Sequence, residues 1–145
     1  MYKFAARFKR NIYQKFNFLN ESMQQYETVI ILTPLLSEEV SKEAIAKFRS
    51  ILTEGGAEIV HEDNWGLKKL AYPIDKKTTG FYHLIEFKAP GELISKLEVE
   101  YKRDERVMRF LTIRLDKHAL AYNEKKRSGA FNKKAETSKS EEVAN

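Results

Sequence analysis

The fold is decided by one stretch of sequence, Tyr26-Glu-Thr-Val-Ile-Ile-Leu32. Its β-branched and aromatic residues favour a β-strand, and Thr33-Pro34 marks the turn that ends it. Because apolar side chains fall on both alternating faces, this strand is expected to lie in the middle of a sheet. The rest of the chain must therefore supply the strands and helices that surround it.

Outward from this strand, helix and strand patterns alternate. Ser37 precedes two glutamates as a helix N-cap does, and the apolar stripe that follows predicts a helix that Gly55-Gly56 ends. Gly66 permits a bulge or bend near Asp63-Asn64-Trp65-Gly66. The other predicted elements are a strand or strand pair over 57–72, a polar loop over 73–80, a strand over 81–88, a helix over 92–104 and a strand over 107–115.

This order of elements predicts an α+β fold, the ferredoxin-like split βαβ arrangement (βαββαβ). It has a four-stranded antiparallel sheet with two helices on one face, and the other face is left open. The open face is unusually apolar, which indicates a partner. It is predicted to carry Val29, Ile31, Tyr82 and Leu84, and the helix side to carry Thr28, Ile30, Leu32, Phe48, Ile51, Ile85, Phe87, Leu97, Ile113 and Leu115.

Composition limits the chemistry that the chain can perform. With 145 residues, 42% of them hydrophobic, it can build one modest core, and the absence of cysteine excludes disulfides and thiol chemistry and suits a reducing cytoplasm. His61, His83 and His118 lack metal-ligand spacing, and no catalytic or phosphate-binding glycine motif occurs. We therefore expect no enzyme, no metal and no cofactor. No run approaches the about 20 apolar residues of a membrane-spanning helix, so no membrane association is expected.

The net charge of +5 is carried by the two ends of the chain. Residues 1–22 hold five basic groups and one acidic group, and residues 116–145 hold seven and five, whereas residues 23–115 hold 14 and 15. Local clusters, rather than the whole surface, are thus expected to meet phosphate, although arginines near Asp104 and Glu105 could instead pair within the chain. The clusters are Lys68, Lys69, Lys76 and Lys77 at one loop, and Arg103, Arg106, Arg109 and Arg114 around the last strand.

One segment indicates a family. Trp65-Gly-Leu-Lys-Lys-Leu-Ala-Tyr-Pro-Ile74 resembles the signature of bacterial small-subunit ribosomal protein six, and the resemblance covers residues 23–117. It implies a structural constituent of the ribosome, in the cytoplasm, that binds the central domain of 16S ribosomal RNA with ribosomal protein eighteen and other small-subunit components. By the same resemblance, RNA phosphates would be contacted by Lys68, Lys69, Arg103, Arg106 and Arg109, and protein eighteen by Tyr82 and Leu84.

The segments on either side of the resemblance are interpreted separately. Residues 1–22 are open to three interpretations: a start site assigned too far upstream, an RNA-binding arm, or an organellar transit peptide. Residues 118–145 are predicted to form a basic, disordered tail, because Phe131 and Val143 are the only large apolar side chains beyond residue 122. The predicted organisation is an extension over 1–22, a domain over 23–117 and this tail.

Other classes of protein share the predicted fold. A regulatory domain that binds a small ligand and oligomerises through its sheet would explain the apolar open face, but not the basic clusters. The RNA-recognition motif requires small and aromatic residues where this chain has Tyr82, His83 and Glu86, so base stacking through that motif has weak support. An acylphosphatase-like enzyme would need an anion-binding loop, and the turn after Leu32 offers neither glycine nor arginine.

Overall fold

A computed structural model of the protein describes residues 23–129. The interpretations of residues 1–22 and the predicted tail from residue 130 onward lie outside the described residues. The elements are β1 (Met23–Leu32), α1 (Glu38–Glu54), β2 (Glu58–Ile74), β3 (Lys77–Pro90), α2 (Gly91–Arg103), β4 (Val107–Arg114) and α3 (Lys117–Arg127).

The four strands form one antiparallel sheet in the order β2-β3-β1-β4. The central position predicted for β1 is confirmed. Helices α1 and α2 cover one face, where Phe48 and Tyr101 meet edge to face with ring centres 4.7 Å apart. The predicted ferredoxin-like fold is confirmed. Of the predicted core, Thr28, Ile30, Leu32, Phe48, Ile85, Phe87 and Leu97 are buried, and Ile51 is partly buried against the core. Leu115 is also buried but does not belong to this core cluster.

Helix α1 begins and ends as its sequence predicts. The Ser37 hydroxyl accepts a hydrogen bond from the backbone N–H of Val40 at 3.3 Å, and the backbone N–H of Gly55 closes the last turn on Ile51. A Cβ at Gly55 would collide with Leu93 of α2. Glycine at this position therefore lets the two helices approach each other closely over the sheet.

The predicted loop over 73–80 is wrong. Strand β2 continues to Ile74, β3 starts at Lys77, and the two residues between them, Asp75 and Lys76, make a tight hairpin turn with φ of 47° and 62°. Positive φ at both central positions is typical of a type I′ hairpin turn. Pro73 suggested a loop, but proline is tolerated in β2 because an edge strand has one side without strand partners.

The face predicted for the end of the last strand is also wrong. Ile113 was expected on the helix side, yet it is 43% exposed on the open face, while Phe110 packs on Tyr101 with ring centres 5.0 Å apart. The cause is an irregularity in the ladder, since Leu32 pairs with Val107 but Ile31 pairs with Arg109. One extra residue on β4 reverses the alternation of every side chain after it.

Residues 115–129 belong to a second compact unit. Disorder was predicted for residues 118–145, and this is wrong for residues 118–127, which belong to α3. Asp116 caps the helix by accepting a hydrogen bond from Ala119 N at 2.7 Å, and its last turn is basic, which suits the helix dipole. None of its residues is buried, so capping and local hydrogen bonds, rather than a core, define it.

Candidate functional site

The face of the sheet opposite helices α1 and α2 carries a strip of aliphatic side chains. Antiparallel partners share a face, so the register joins Leu84, Val29 and Leu111 into one row across β3, β1 and β4. The predicted open-face residues are confirmed there, each half-buried among its neighbours. We call this surface the open-face strip; it consists of Val29, Ile31, Leu84, Leu111 and Ile113.

The sequence did not predict the two most exposed residues of the open-face strip. Leu111 is 62% exposed, Ile113 is 43% exposed, and both lie on the edge strand β4. The irregularity near Met108 moves them to the open face, and no local pattern in β4 reveals it. Tyr82 and Leu84, the predicted partner-binding residues, lie closer to the middle of the sheet and are half-buried.

Trp65 sits in a break in the pairing of β2, between Asn64 and Gly66, where the sequence predicted a bulge. Gly66 has φ of 72°, and its N–H donates to the Asn64 side chain at 2.9 Å. The indole stacks on Tyr82 with ring centres 6.2 Å apart and planes 23° apart. The Lys68 ammonium lies 5.5 Å from the indole centre. We call Trp65 and Tyr82 the aromatic platform, which the sequence did not reveal.

The four predicted phosphate-binding lysines are all brought to the β2–β3 hairpin. Lys68 pairs with Gly80 and Lys69 with Thr79, so the two side chains point to opposite faces of β2. Lys76 lies in the turn and is exposed, whereas Lys77 is half-buried at the start of β3. The lysines therefore surround the hairpin, and Lys68 stands beside the aromatic platform.

The three predicted phosphate-binding arginines do not form one patch. Arg103 ends α2 with a 73% exposed side chain, 3.6 Å from a Glu100 oxygen. Arg106 donates to Asp104 through Nε at 2.9 Å and Nη2 at 2.8 Å, so the alternative of pairing within the chain holds for this residue. Arg109 is exposed on the open face, in the row that runs from Tyr82 through Ile31.

Asp104 joins the end of α2 to the start of β4 and to α1. Hydrogen bonds from the Arg106 side chain hold the pKa of this carboxyl well below its usual value, and they outweigh the effect of burial. The Arg106 backbone N–H at 3.1 Å and the Lys47 ammonium at 3.2 Å act in the same direction. Asp104 in turn raises the pKa of Arg106. The Arg106–Asp104 pair therefore stabilises the fold, and the Arg106 guanidinium is less available to a phosphate.

A second ionic cluster lies on the helix side, where a cleft of about 570 Å³ separates α1 from β2 and β3. The Glu62 carboxylate accepts hydrogen bonds from Nε and Nη2 of Arg49, and its Oε1 lies 2.6 Å from His83 Nε2. Burial raises the pKa of Glu62, but the hydrogen bonds from Arg49 and His83 outweigh it, and the pKa is lowered overall. The cluster fixes α1 to the sheet.

Within residues 23–129, no group of three histidine, cysteine, aspartate or glutamate residues is placed to hold a metal ion. In the same range, no helix has the length and apolar composition needed to cross a bilayer.

Comparisons with known proteins agree on one family. The profile of the family described as Ribosomal protein S6 matches residues 25–114. The small ribosomal subunit proteins bS6 of Phocaeicola vulgatus and Bacteroides fragilis are each 62% identical over 112 residues, which are 77% of this chain and 98% of theirs. The crystal structure of 30S ribosomal protein S6 from Thermotoga maritima superimposes with a TM-score of 0.64 at 27% identity, over 73% of this chain and 98% of that one.

Proposed function

The chain belongs to the ribosomal protein S6 family, a structural and non-enzymatic component of the small ribosomal subunit, and from this premise we propose that it binds the central domain of 16S ribosomal RNA jointly with ribosomal protein eighteen. The family acts in translation as part of a ribonucleoprotein, and its bacterial members are located in ribosomes in the cytoplasm. The RNA and the protein partner are proposed to use different surfaces of the domain.

RNA binding is supported above all by the four lysines that the β2–β3 hairpin collects. Residues 23–115 are close to neutral as a whole, so attraction to phosphate has to come from such a local cluster. Arg103 and Arg109 are exposed and can add phosphate contacts, whereas Arg106 contributes less because Asp104 occupies two of its donors. The hairpin is the proposed centre of the RNA contact.

Binding of ribosomal protein eighteen is supported by the apolar open face. The open-face strip leaves Leu111 and Ile113 exposed to water, and Leu84 and Tyr82 extend the apolar surface towards the middle of the sheet. A contiguous apolar patch on one face of a small domain is typical of a protein-binding surface. Covering it would remove apolar area from water, which favours association.

A salt-titrated binding assay tests the proposal. The full chain is titrated with a fragment of the central domain of 16S RNA, with and without ribosomal protein eighteen. We expect tight, salt-sensitive binding with the partner present. Replacing Lys68 and Lys69 by alanine should lower the slope of log affinity against log salt by up to about two, because each lysine that neutralises a phosphate contributes roughly one unit.

Two helix-surface lysines provide the matched control. Lys42 lies on α1 and Lys96 on α2, and their double replacement by alanine removes the same charge away from the hairpin. This variant should keep the original salt slope. If the variant that lacks Lys68 and Lys69 also keeps the original salt slope, these two lysines are not in the RNA-binding site. If the unaltered chain binds no RNA at any salt concentration, the proposed RNA binding is rejected, and the regulatory domain that binds a small ligand becomes the favoured alternative.

A further inference from the structure

The aromatic platform is held in place before any partner arrives. The indole Nε1 of Trp65 donates to Asp63 at 2.8 Å, Tyr82 supports one ring face, and Trp65 lies at the break in the pairing of β2 before Gly66. The side chain is nevertheless 37% exposed. A large aromatic group that is both fixed and exposed loses little conformational entropy on binding, which favours its use in recognition.

The charges around the platform indicate the chemistry of its partner. Lys68 places an ammonium group beside the indole, and Arg109 lies in the same row as Tyr82, two strands and about 10 Å away. An aromatic face with one cation beside it and a second across the sheet matches a nucleotide, whose base stacks while its phosphates meet the cations. The flexible stem of Lys68 lets its ammonium move from the indole to a phosphate.

The open-face strip and the platform differ in character. The row of Leu84, Val29 and Leu111 is aliphatic, as expected for a protein contact, whereas the platform is aromatic and has the Lys68 ammonium beside it. We propose that Trp65, supported by Tyr82 and assisted by Lys68, stacks an unpaired base of ribosomal RNA. This inference rests on the proposed RNA binding. It gives Tyr82 a supporting role beneath Trp65 and leaves the protein contact chiefly to Leu84 and the rest of the strip.

The chain contains a single tryptophan, so its intrinsic fluorescence reports on the platform directly. The full chain is titrated with the central-domain 16S RNA fragment, with ribosomal protein eighteen present, and separately with inorganic polyphosphate of matched phosphate number. RNA should quench the fluorescence of Trp65, because a base stacks on the indole. Polyphosphate engages the lysines but has no bases, so it should bind without comparable quenching.

Two variants supply an independent readout by labelled-RNA binding. Trp65→Leu should lower RNA affinity by about tenfold, within the range measured for base stacking on aromatic residues, whereas Trp65→Phe keeps a ring and should lose less. Circular dichroism and thermal unfolding establish that each variant is folded. If Trp65→Leu does not fold, the fluorescence comparison on the unaltered chain still decides the inference.

Each contrary result has a distinct meaning. Equal quenching by RNA and polyphosphate, or unchanged RNA affinity in Trp65→Leu, overturns stacking while RNA binding stands. If Trp65→Leu no longer binds ribosomal protein eighteen but keeps its RNA affinity, the aromatic platform contacts the protein partner, and base stacking is again overturned. If the unaltered chain binds no RNA at any salt concentration, the proposed function itself fails, and the inference fails with it.

Discussion

At the residue scale, Asp104 bears more structural contacts than its place in a charged run suggests. In the sequence, Asp104 lies in a run of consecutive charged residues that includes Arg103-Asp104-Glu105-Arg106. In the structure the Asp104 side chain is 6% exposed and accepts hydrogen bonds from Arg106 and from Lys47. A buried carboxylate with several charged donors stabilises the fold only while it is ionised.

Asp104→Asn is expected to lower the free energy of unfolding by about 1–3 kcal/mol at neutral pH, because it weakens charge-assisted hydrogen bonds in a buried site. The folded pKa of Asp104 lies below its unfolded value of 3.8, so this stability is present above that value and is lost as the pH falls through it towards the folded pKa. Urea unfolding between pH 7 and pH 2 should therefore show a shallower pH dependence in the variant.

The adjacent carboxylate serves as the control for this prediction. Glu105 is exposed, and Glu105→Gln removes the same charge one residue away. We expect its unfolding free energy and pH profile to stay close to those of the unaltered chain. Identical pH profiles for Asp104→Asn and the unaltered chain would show that Asp104 is not an electrostatic anchor.

At the element scale, the β2–β3 hairpin turns without the residues that usually make such a turn. Type I′ turns favour Asn-Gly because both central residues have positive φ, whereas this chain uses Asp75 and Lys76. Residues with a Cβ are strained in the left-handed region by roughly 1 kcal/mol. The extended pairing of β2 and β3 holds this turn in place, and it places Lys76 at the tip of the basic cluster.

Replacing Asp75-Lys76 by Asn-Gly is expected to raise the free energy of unfolding by about 0.5–1 kcal/mol, because glycine relieves the strain at the second turn position. Urea unfolding measures the change. Lys77→Gly, one residue further on and within β3, is the control and should destabilise the protein. A turn variant that is less stable than the unaltered chain would show that the Asp75 and Lys76 side chains together contribute more stability than relief of the strain does.

At the scale of the whole domain, the two faces of the sheet have different roles. Helices α1 and α2 pack on one face and bury the core, while the other face presents the open-face strip and the aromatic platform. Leu84 lies in the interior strand β3, so replacing it affects packing as well as binding. Leu111 lies on the edge strand β4 and is 62% exposed, which makes it the cleaner site for a test.

Leu111→Asp is expected to weaken binding of ribosomal protein eighteen by about tenfold or more, because a charge placed in an apolar interface must be desolvated. Its unfolding free energy should change by less than about 0.5 kcal/mol, as is usual for an exposed position. Val99→Asp, at a 42% exposed position on α2 and therefore on the helix side, is the matched control. Calorimetric titration with purified protein eighteen measures the affinity of each variant. If Leu111→Asp binds as tightly as Val99→Asp, the open-face strip is not part of the interface.

Most of the elements, and the family, could be predicted from the sequence. Periodicity specified β1, both core helices and the order that gives the ferredoxin-like fold, because each of these depends on local spacing along the chain. The run from Trp65 to Ile74 indicated the family, and the bulge near Gly66 followed from glycine's backbone freedom. The sequence also indicated the lysine cluster at the β2–β3 hairpin, because those four residues lie close together along the chain.

Which side chains meet could not be predicted from the sequence, because it depends on how the strands pair. One extra residue in β4 moves Ile113 to the open face and Phe110 into the core, and the pairing of β2 with β3 brings Trp65 onto Tyr82. The long-range contact from Lys47 helps to bury Asp104, and the pairing of β4 with β1 carries Arg109 onto the open face, away from Arg103 at the end of α2. The physical reason is that a strand's side-chain period is two residues, so a single irregularity in pairing reverses a face, and the partner strand, rather than local sequence, specifies where that irregularity lies.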